Sequence, residues 1–177
     1  MGFALAQGGV HLTSVNRDQV DILYRSMQPQ DVYAVSDMIL RTFRVFIAPE
    51  YSTEGIRTFS DYVRPSVLRA RLDAGALAWV AQAGNDLAGH IEMRNDNHVA
   101  LLFVDAAYQR RGISRALLRR VLDICRARRP DLQQVTIHAS PYALKIYERL
   151  GFRASGPQTL ENGIISTPMI LDLKPGF

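Results

Sequence analysis

Gln109-Arg110-Arg111-Gly112-Ile113-Ser114 decides the fold, because of what stands on either side of it. Before it lies the apolar run Val99-Ala100-Leu101-Leu102-Phe103-Val104. After it opens a helical pattern with Ile113, Leu117, Val121, Ile124 and Cys125 along one stripe. A strand that runs into a basic, glycine-containing turn and then a helix presents several free backbone N–H groups at one point. With the positive end of the helix dipole they form an anion site, most often for phosphate. Gly112 lets the backbone approach a ligand with no β-carbon in the way, and Arg110, Arg111 and Arg115 add positive charge around it. The turn therefore predicts a phosphate-bearing cofactor held at residues 109–115. The chain has no Walker-type Gly-Lys-Ser/Thr and no three-glycine dinucleotide fingerprint, which argues against the usual nucleotide folds.

Working upstream, residues 76–82 and 86–94 read as two strands joined by a tight turn at Gly84-Asn85. Asn95-Asp96-Asn97 turns again into a strand over 98–105, apolar on both faces and so expected to be central. Ahead of these, residues 21–27 form a first strand and Pro29-Gln30-Asp31 starts a helix to about Phe46. Helices follow over 53–63 and from Pro65 to a C-cap at Gly75. Downstream, residues 133–139 read as a strand parallel to the one before the phosphate turn, since a helical crossover separates them. Ser140-Pro141 reads as an N-cap with proline at the first helical position. That helix stops at Gly151, with Phe152 folding back onto Ile146 or Tyr147. Two strands, at 153–155 and 164–173, close the chain.

The chain has 177 residues, 47% of them hydrophobic and 21% charged, which suits one globular domain. No apolar run approaches the roughly 20 residues needed to cross a bilayer, and no membrane partner is expected. Residues 1–20 lack a basic region followed by an apolar core and read as a disordered leader or cloning remnant rather than a secretory signal. The single cysteine excludes an internal disulfide framework and suits the cytosol. The net charge of +4 is almost all arginine, concentrated between Arg110 and Arg129. Without interleaved aromatics, and beside the phosphate turn, this cluster suits a small polyphosphate ligand better than nucleic acid; a solvated helix face is the plainer alternative.

Two separated segments carry a family likeness. Gln109-Arg110-Arg111-Gly112-Ile113-Ser114 looks like a Gln/Arg-x-x-Gly-x-Gly/Ala pyrophosphate loop, and Ala139-Ser140-Pro141-Tyr142-Ala143 with Tyr147-Glu148-Arg149-Leu150-Gly151-Phe152 looks like a later helix motif. In that order they resemble the GNAT superfamily of acyl-CoA-dependent N-acyltransferases. There are two departures: Ser114 replaces the loop's last small residue, and Ser140 stands where many members have asparagine. The resemblance implies an α/β (α+β) single domain over 21–174, with a mixed, mostly antiparallel central sheet and helices on both faces. It also implies acetyl-CoA in a slot where parallel strands 98–105 and 133–139 splay apart. Backbone groups of Phe103 and Val104 would pair with the pantetheine arm, and the amides of Arg110 to Ser114 would hold the pyrophosphate. Gln109, Arg115 and Ser140 complete the implied cofactor contacts.

Acyl transfer to an amine needs a neutral amine, a polarised thioester carbonyl and a proton for the departing thiolate. An alkylamine has a pKa of about 10, so a base must take its proton. His98, at the start of its strand, stands where family members carry a Glu or His base. Glu92, opposite in face to Ile91 and Met93, is a second candidate acting through water. Each has a plainer reading: His98 as a polar residue closing a turn, Glu92 as a solvated strand residue paired with Arg94. Tyr147 matches the family's proton donor, though Ala143, Ile146, Tyr147 and Leu150 also make one apolar stripe on which it could be core. A backbone N–H on strand 98–105 is expected to polarise the carbonyl. Cys125 falls on a buried stripe and reads as structural, and His11, His90 and His138 show no metal-ligand spacing, so no metal is expected.

The expected activity is a cytosolic N-acetyltransferase, monomer or homodimer, using acetyl-CoA and a primary amine. The alternatives are an enzyme for another acyl-CoA and a non-catalytic acyl-CoA-binding regulatory module. The acceptor pocket is expected along residues 44–62 and 160–165, where Tyr51, Glu50, Glu54 and Glu161 could attract a cationic amine.

Overall fold

Period-two apolar runs and 3.6-period stripes become eight strands and five α-helices among residues 21–173, the span that this computed structural model describes. The leader expected at 1–20 lies outside the described residues. β1 (Ile22–Ser26) leads into α1 (Val32–Phe46), α2 (Thr53–Tyr62) and α3 (Pro65–Asp73). β2 (Leu77–Ala83), β3 (Asp86–Arg94) and β4 (His98–Val104) then form a meander. α4 (Ile113–Arg128) crosses over to β5 (Gln134–Ala139), and α5 (Leu144–Arg149) precedes β6 (Arg153–Ala154), β7 (Thr159–Glu161) and β8 (Ile164–Asp172). The sheet runs β1-β2-β3-β4-β5-β8-β6, with β7 on β8. Every pairing is antiparallel except β4 with β5. No helix among the described residues is long and apolar enough to cross a membrane.

The sheet separates two cores. On one side α1 and α3 bury Val35, Met38, Ile39 and Leu68 against Ala78, Val80 and Leu101. On the other, α4 buries Ile113, Leu117, Val121 and Cys125 against Ala81, Ile91, Met93 and Val99. Val99 and Leu101 ought to share a face, being two residues apart on one strand. They face opposite cores instead, because the β3–β4 register shifts there: Glu92 pairs with Leu101 and Met93 with Val99, leaving Ala100 as the extra residue of a bulge.

Two features open a slot beside that bulge. The parallel β4–β5 ladder holds only two pairs, His98 with Thr136 and Val99 with Ile137. Beyond it the strands separate, so β4 from Ala100 to Val104 has an unpaired edge toward β5. The far wall is built by α2 and the β7–β8 hairpin. Ser52 caps α2 by accepting from Gly55 N at 3.1 Å. Tyr51 donates to Ile165 O at 3.0 Å, and Thr58 to Asn162 O at 3.1 Å. Gly55 and Gly163 meet so closely that a β-carbon on either would run into the other's backbone.

Two expectations need correction. β7 was not anticipated, although Asn162-Gly163, with φ of 51° and 77°, is the two-residue hairpin turn that joins it to β8. Ser140 does not cap a helix through its side chain: Pro141–Ala143 is a short 3₁₀ turn, the α-helix begins at Leu144, and the Ser140 hydroxyl bonds to neither. The stop is as expected, with Phe152 N donating to Tyr147 O at 3.0 Å and the two rings edge to face at 5.7 Å.

Candidate active site

A cleft of about 770 Å³ follows the open edge of β4, within the size range of small-molecule sites. One end is the start of α4. Arg110 (φ 64°) and Gly112 (φ 76°) are both left-handed, so successive backbone N–H groups turn toward a common point. Ala116 N is the first to bond back, to Gly112 O at 3.0 Å, which leaves the amides of Ile113, Ser114 and Arg115 outside the helical ladder. Gln109 Nε2 donates to Val104 O at 3.3 Å and ties the turn to the end of β4. Arg115 donates to Arg149 O at 3.0 Å, joining α4 to α5, and the Arg111 guanidinium lies 5.4 Å from the Tyr108 ring centre.

Midway, Tyr147 and Ser140 line the cleft. Tyr147 is buried, and burial pushes its phenol well above the ordinary range, so it stays protonated. The Ser140 hydroxyl is buried without a hydrogen-bond partner among the described residues. A buried orphan polar atom is costly, so a polar group bound in the cleft would gain from pairing with it.

At the other end stands His98, half-buried, with Nδ1 2.7 Å from Thr136 Oγ1. Thr136 Oγ1 in turn donates to Asn97 O at 3.4 Å. When the hydroxyl turns its proton to that carbonyl it accepts from His98, and in that tautomer the ring proton is on Nδ1 and Nε2 has a free lone pair. Burial, then the Arg94 cation, then His138 lower the His98 pKa to about 4. His138 meets the ring edge-on at 5.4 Å. Thus His98 is neutral at physiological pH. The wall facing it is aromatic: Phe59 stacks on Phe43 at 4.2 Å, Tyr51 meets Phe43 edge-on at 5.7 Å, and Tyr62 completes the lining.

The match to an acetyltransferase (GNAT) domain model spans residues 47–173, from the foot of α1 through β8. The chain belongs to the GNAT family. This GNAT chain is 28% identical over 156 residues to the uncharacterized N-acetyltransferase YafP of Escherichia coli (strain K12), covering 88% of this chain and 97% of YafP. Its fold is similar to that of a GCN5-related N-acetyltransferase (aminotransferase, class II) from Rhodopseudomonas palustris, with TM-score 0.74 and 21% identity over 85% of this chain and 95% of that one. It is also similar to the PaiA N-acetyltransferase from Thermoplasma acidophilum in complex with coenzyme A, with TM-score 0.72 and 16% identity over 86% and 99% of the two chains.

Of the residues expected from sequence, the GNAT cleft brings together Phe103, Val104, Gln109, Arg110, Gly112, Ile113, Ser114, Arg115, Ser140, Tyr147 and His98. Arg111 sits in the same turn but outside the lining. Glu92 is not brought there. It is buried on the α3 side of the sheet, and its two carboxylate oxygens accept from Arg71 at 2.6 and 3.2 Å. Arg71 also donates to Tyr62 O at 2.9 Å and lies over the Tyr62 ring at 4.3 Å. The plainer pairing with Arg94 fails too, since Arg71 takes both oxygens. Glu50 and Glu54 lie off the lining, whereas Tyr51 and Glu161 are on it. Nor is the arginine cluster one ligand surface. Arg120 covers Tyr24 at 4.0 Å, while Arg128 and Arg129 bind Asp96 and Asn95 O in the β3–β4 turn. Cys125 is fully buried, with burial first among the causes that push its thiol up to about 11. Sequence reasoning missed Arg94, Thr136 and His138. The signal for Thr136 and His138 was their alternation on a strand parallel to β4.

Proposed function

We propose that this GNAT protein is an N-acetyltransferase that moves an acetyl group from acetyl-CoA to a primary amine by direct attack. One observation carries the reading: bare helix amides, an open strand edge, a protonated tyrosine and a neutral histidine lie along a single cleft. An acyl-CoA fits these residues. The unpaired edge at Phe103 and Val104 suits an amide-bearing arm added like a strand, and the orphaned Ser140 hydroxyl gains a partner. The amides from Arg110 to Ser114, with Gln109, Arg111 and Arg115 around them, suit a diphosphate. PaiA, of similar fold, was solved with coenzyme A.

When bound, acetyl-CoA supplies the acyl group as a thioester. His98 Nε2 takes a proton from the ammonium form of the acceptor, in the tautomer whose Nδ1–H is donated to Thr136 Oγ1. The amine nitrogen then bonds to the carbonyl carbon as the carbon–sulfur bond breaks. A backbone N–H freed by the bulge at Ala100 stabilises the charge that develops on the carbonyl oxygen. Tyr147 donates a proton to the departing sulfur, and the acylated nitrogen, which still carries one proton more than the amide, releases it to water in the open cleft, from which the Tyr147 phenolate is reprotonated.

The test is thiol release from acetyl-CoA with a panel of amines, alongside calorimetric titration with coenzyme A. Tyr147→Phe is expected to lower kcat about 100-fold with cofactor affinity retained. Wild-type turnover in that variant would remove Tyr147 from the chemistry. No calorimetric binding of coenzyme A would end the whole reading.

A further inference from the structure

One cation at the acceptor end has no assigned work. Arg94 is the direct cross-strand partner of His98 in the β3–β4 ladder, so the two side chains rise together from one face. Both line the cleft. Arg94 makes no ion pair among the described residues. Glu92, two residues back on the same face, has both oxygens on Arg71, and Asp96 in the adjoining turn is held by Arg128 at 3.1 Å. The other lining arginines, Arg110, Arg115 and Arg149, belong to the start of α4 and the end of α5. The remaining acid of the lining, Glu161, stands across the cleft on the hairpin.

An unpaired guanidinium beside the base is unfavourable for a plain cationic amine. It repels the ammonium form, and it also weakens His98 as a base. Both objections vanish when the acceptor itself carries a carboxylate next to its amine. A planar fork binds a carboxylate by two parallel N–H···O bonds. An α-amino acid separates its carboxylate from its amine by one carbon, a spacing that matches adjacent side chains on neighbouring strands. Its own side chain would then meet Phe59, Tyr51 and Tyr62.

Building on the acetyl-transfer reading above, we propose that Arg94 anchors the acceptor's carboxylate, so that the acceptors are α-amino acids with apolar or aromatic side chains. Neutralising Arg94 on binding removes its share of the lowering at His98, although burial, the larger cause, remains. Amines without a carboxylate leave the base weak.

The experiment compares L-phenylalanine, L-phenylalaninamide and phenethylamine as acceptors for the full chain, by thiol release, with kcat/KM expressed per neutral amine. Wild type is expected to favour L-phenylalanine over the other two by about 20-fold, the value of a charge-assisted pair. In Arg94→Gln that preference collapses toward one, and Arg94→Lys restores part of it, mainly through KM. Calorimetry of L-phenylalanine with the protein–coenzyme A complex gives a readout independent of turnover: saturable in wild type, weakened about 20-fold in Arg94→Gln. Acetylation of phenethylamine in preference to L-phenylalanine, or an Arg94→Gln variant that keeps the wild-type preference, overturns the anchor and leaves acetyl transfer standing. Silence with all three amines overturns the amino-acid acceptor, and silence together with no calorimetric binding of coenzyme A overturns both.

Discussion

Replacing Glu92 by Gln separates a strut from a base. The carboxylate is 4% exposed and bidentate to Arg71, whose side chain is 21% exposed. Removing one partner of a buried pair costs about 3–5 kcal/mol, because the other charge is left uncompensated. Arg71 keeps some water and Gln keeps the shape, so the lower end applies, about 3 kcal/mol. For a chain of this size that is roughly 6–12 °C in Tm. Turnover is a different matter. Glu92 lies off the cleft, and it reaches the acceptor wall only through Arg71 and Tyr62. Well below its melting point the variant should keep kcat within about threefold, with any defect in acceptor KM. Calorimetric melting and steady-state thiol release measure the two quantities. The double variant Arg71→Met, Glu92→Leu should recover most of the lost stability, since it removes both charges. An unchanged Tm with a hundredfold fall in kcat would refute the strut and return Glu92 to the chemistry.

Thr136→Val removes the hydroxyl that stands 2.7 Å from His98 Nδ1, so no partner there favours one tautomer; kcat should fall about tenfold with KM steady. Thr136→Ser should restore it, and an equal loss in the Ser variant would count against the tautomer argument. Gly112→Ala meets open space but must keep φ at 76°; it should cost about 1 kcal/mol of stability and weaken coenzyme A binding measured by calorimetry. His90 is fully buried, and burial above all lowers its pKa from 6.5 to about 3. The unfolded chain therefore takes up that proton first as pH falls, and stability declines from pH 6.5 down toward 3. Between pH 6.5 and 5 this one residue should contribute a loss of about 2 kcal/mol in urea unfolding. His90→Leu should flatten that slope, and an unaltered slope would assign the acid sensitivity elsewhere.

What was legible in the sequence was local. The switch from period two to period 3.6 at Gly112 located α4 to the residue, since strand, turn and helix signals adjoin there. Tyr147 could be singled out because the contiguous segment 139–152 resembles the family's later helix motif; its apolar stripe alone read as core. What escaped depended on partners distant in the chain. Glu92 looked free because Arg71, 21 residues earlier, reaches it only after α3 packs on the sheet. Thr136 acquires meaning only through the two-pair parallel ladder that sets it beside His98, 38 residues away. The aromatic wall was legible in part: α2 lies in the 44–62 stretch expected to line the acceptor pocket and Phe103 was expected beside the cofactor, whereas Phe43 of α1, which stacks on Phe59, read simply as a helical core position.

On the proposed mechanism, α4 would couple the two ends of the reaction. Its first turn carries the bare amides, and the residues at its last turn, Arg128 and Arg129, hold Asp96 and Asn95 O in the turn that joins Arg94 to His98. Sixteen residues at about 1.5 Å each span roughly 24 Å. One rigid body therefore sets the distance between the anion site and the base. The exposed arginine contacts add little stability singly, but the three-residue turn they hold is itself closed: Asn95 and Asp96, at φ 54° and 55°, are its central left-handed residues, and Asn97 N donates to Arg94 O at 3.3 Å. A donor gripped at one end of α4 is thus presented to a proton acceptor fixed at the other. Bending the helix in its middle should uncouple cofactor binding from turnover while both local sites survive.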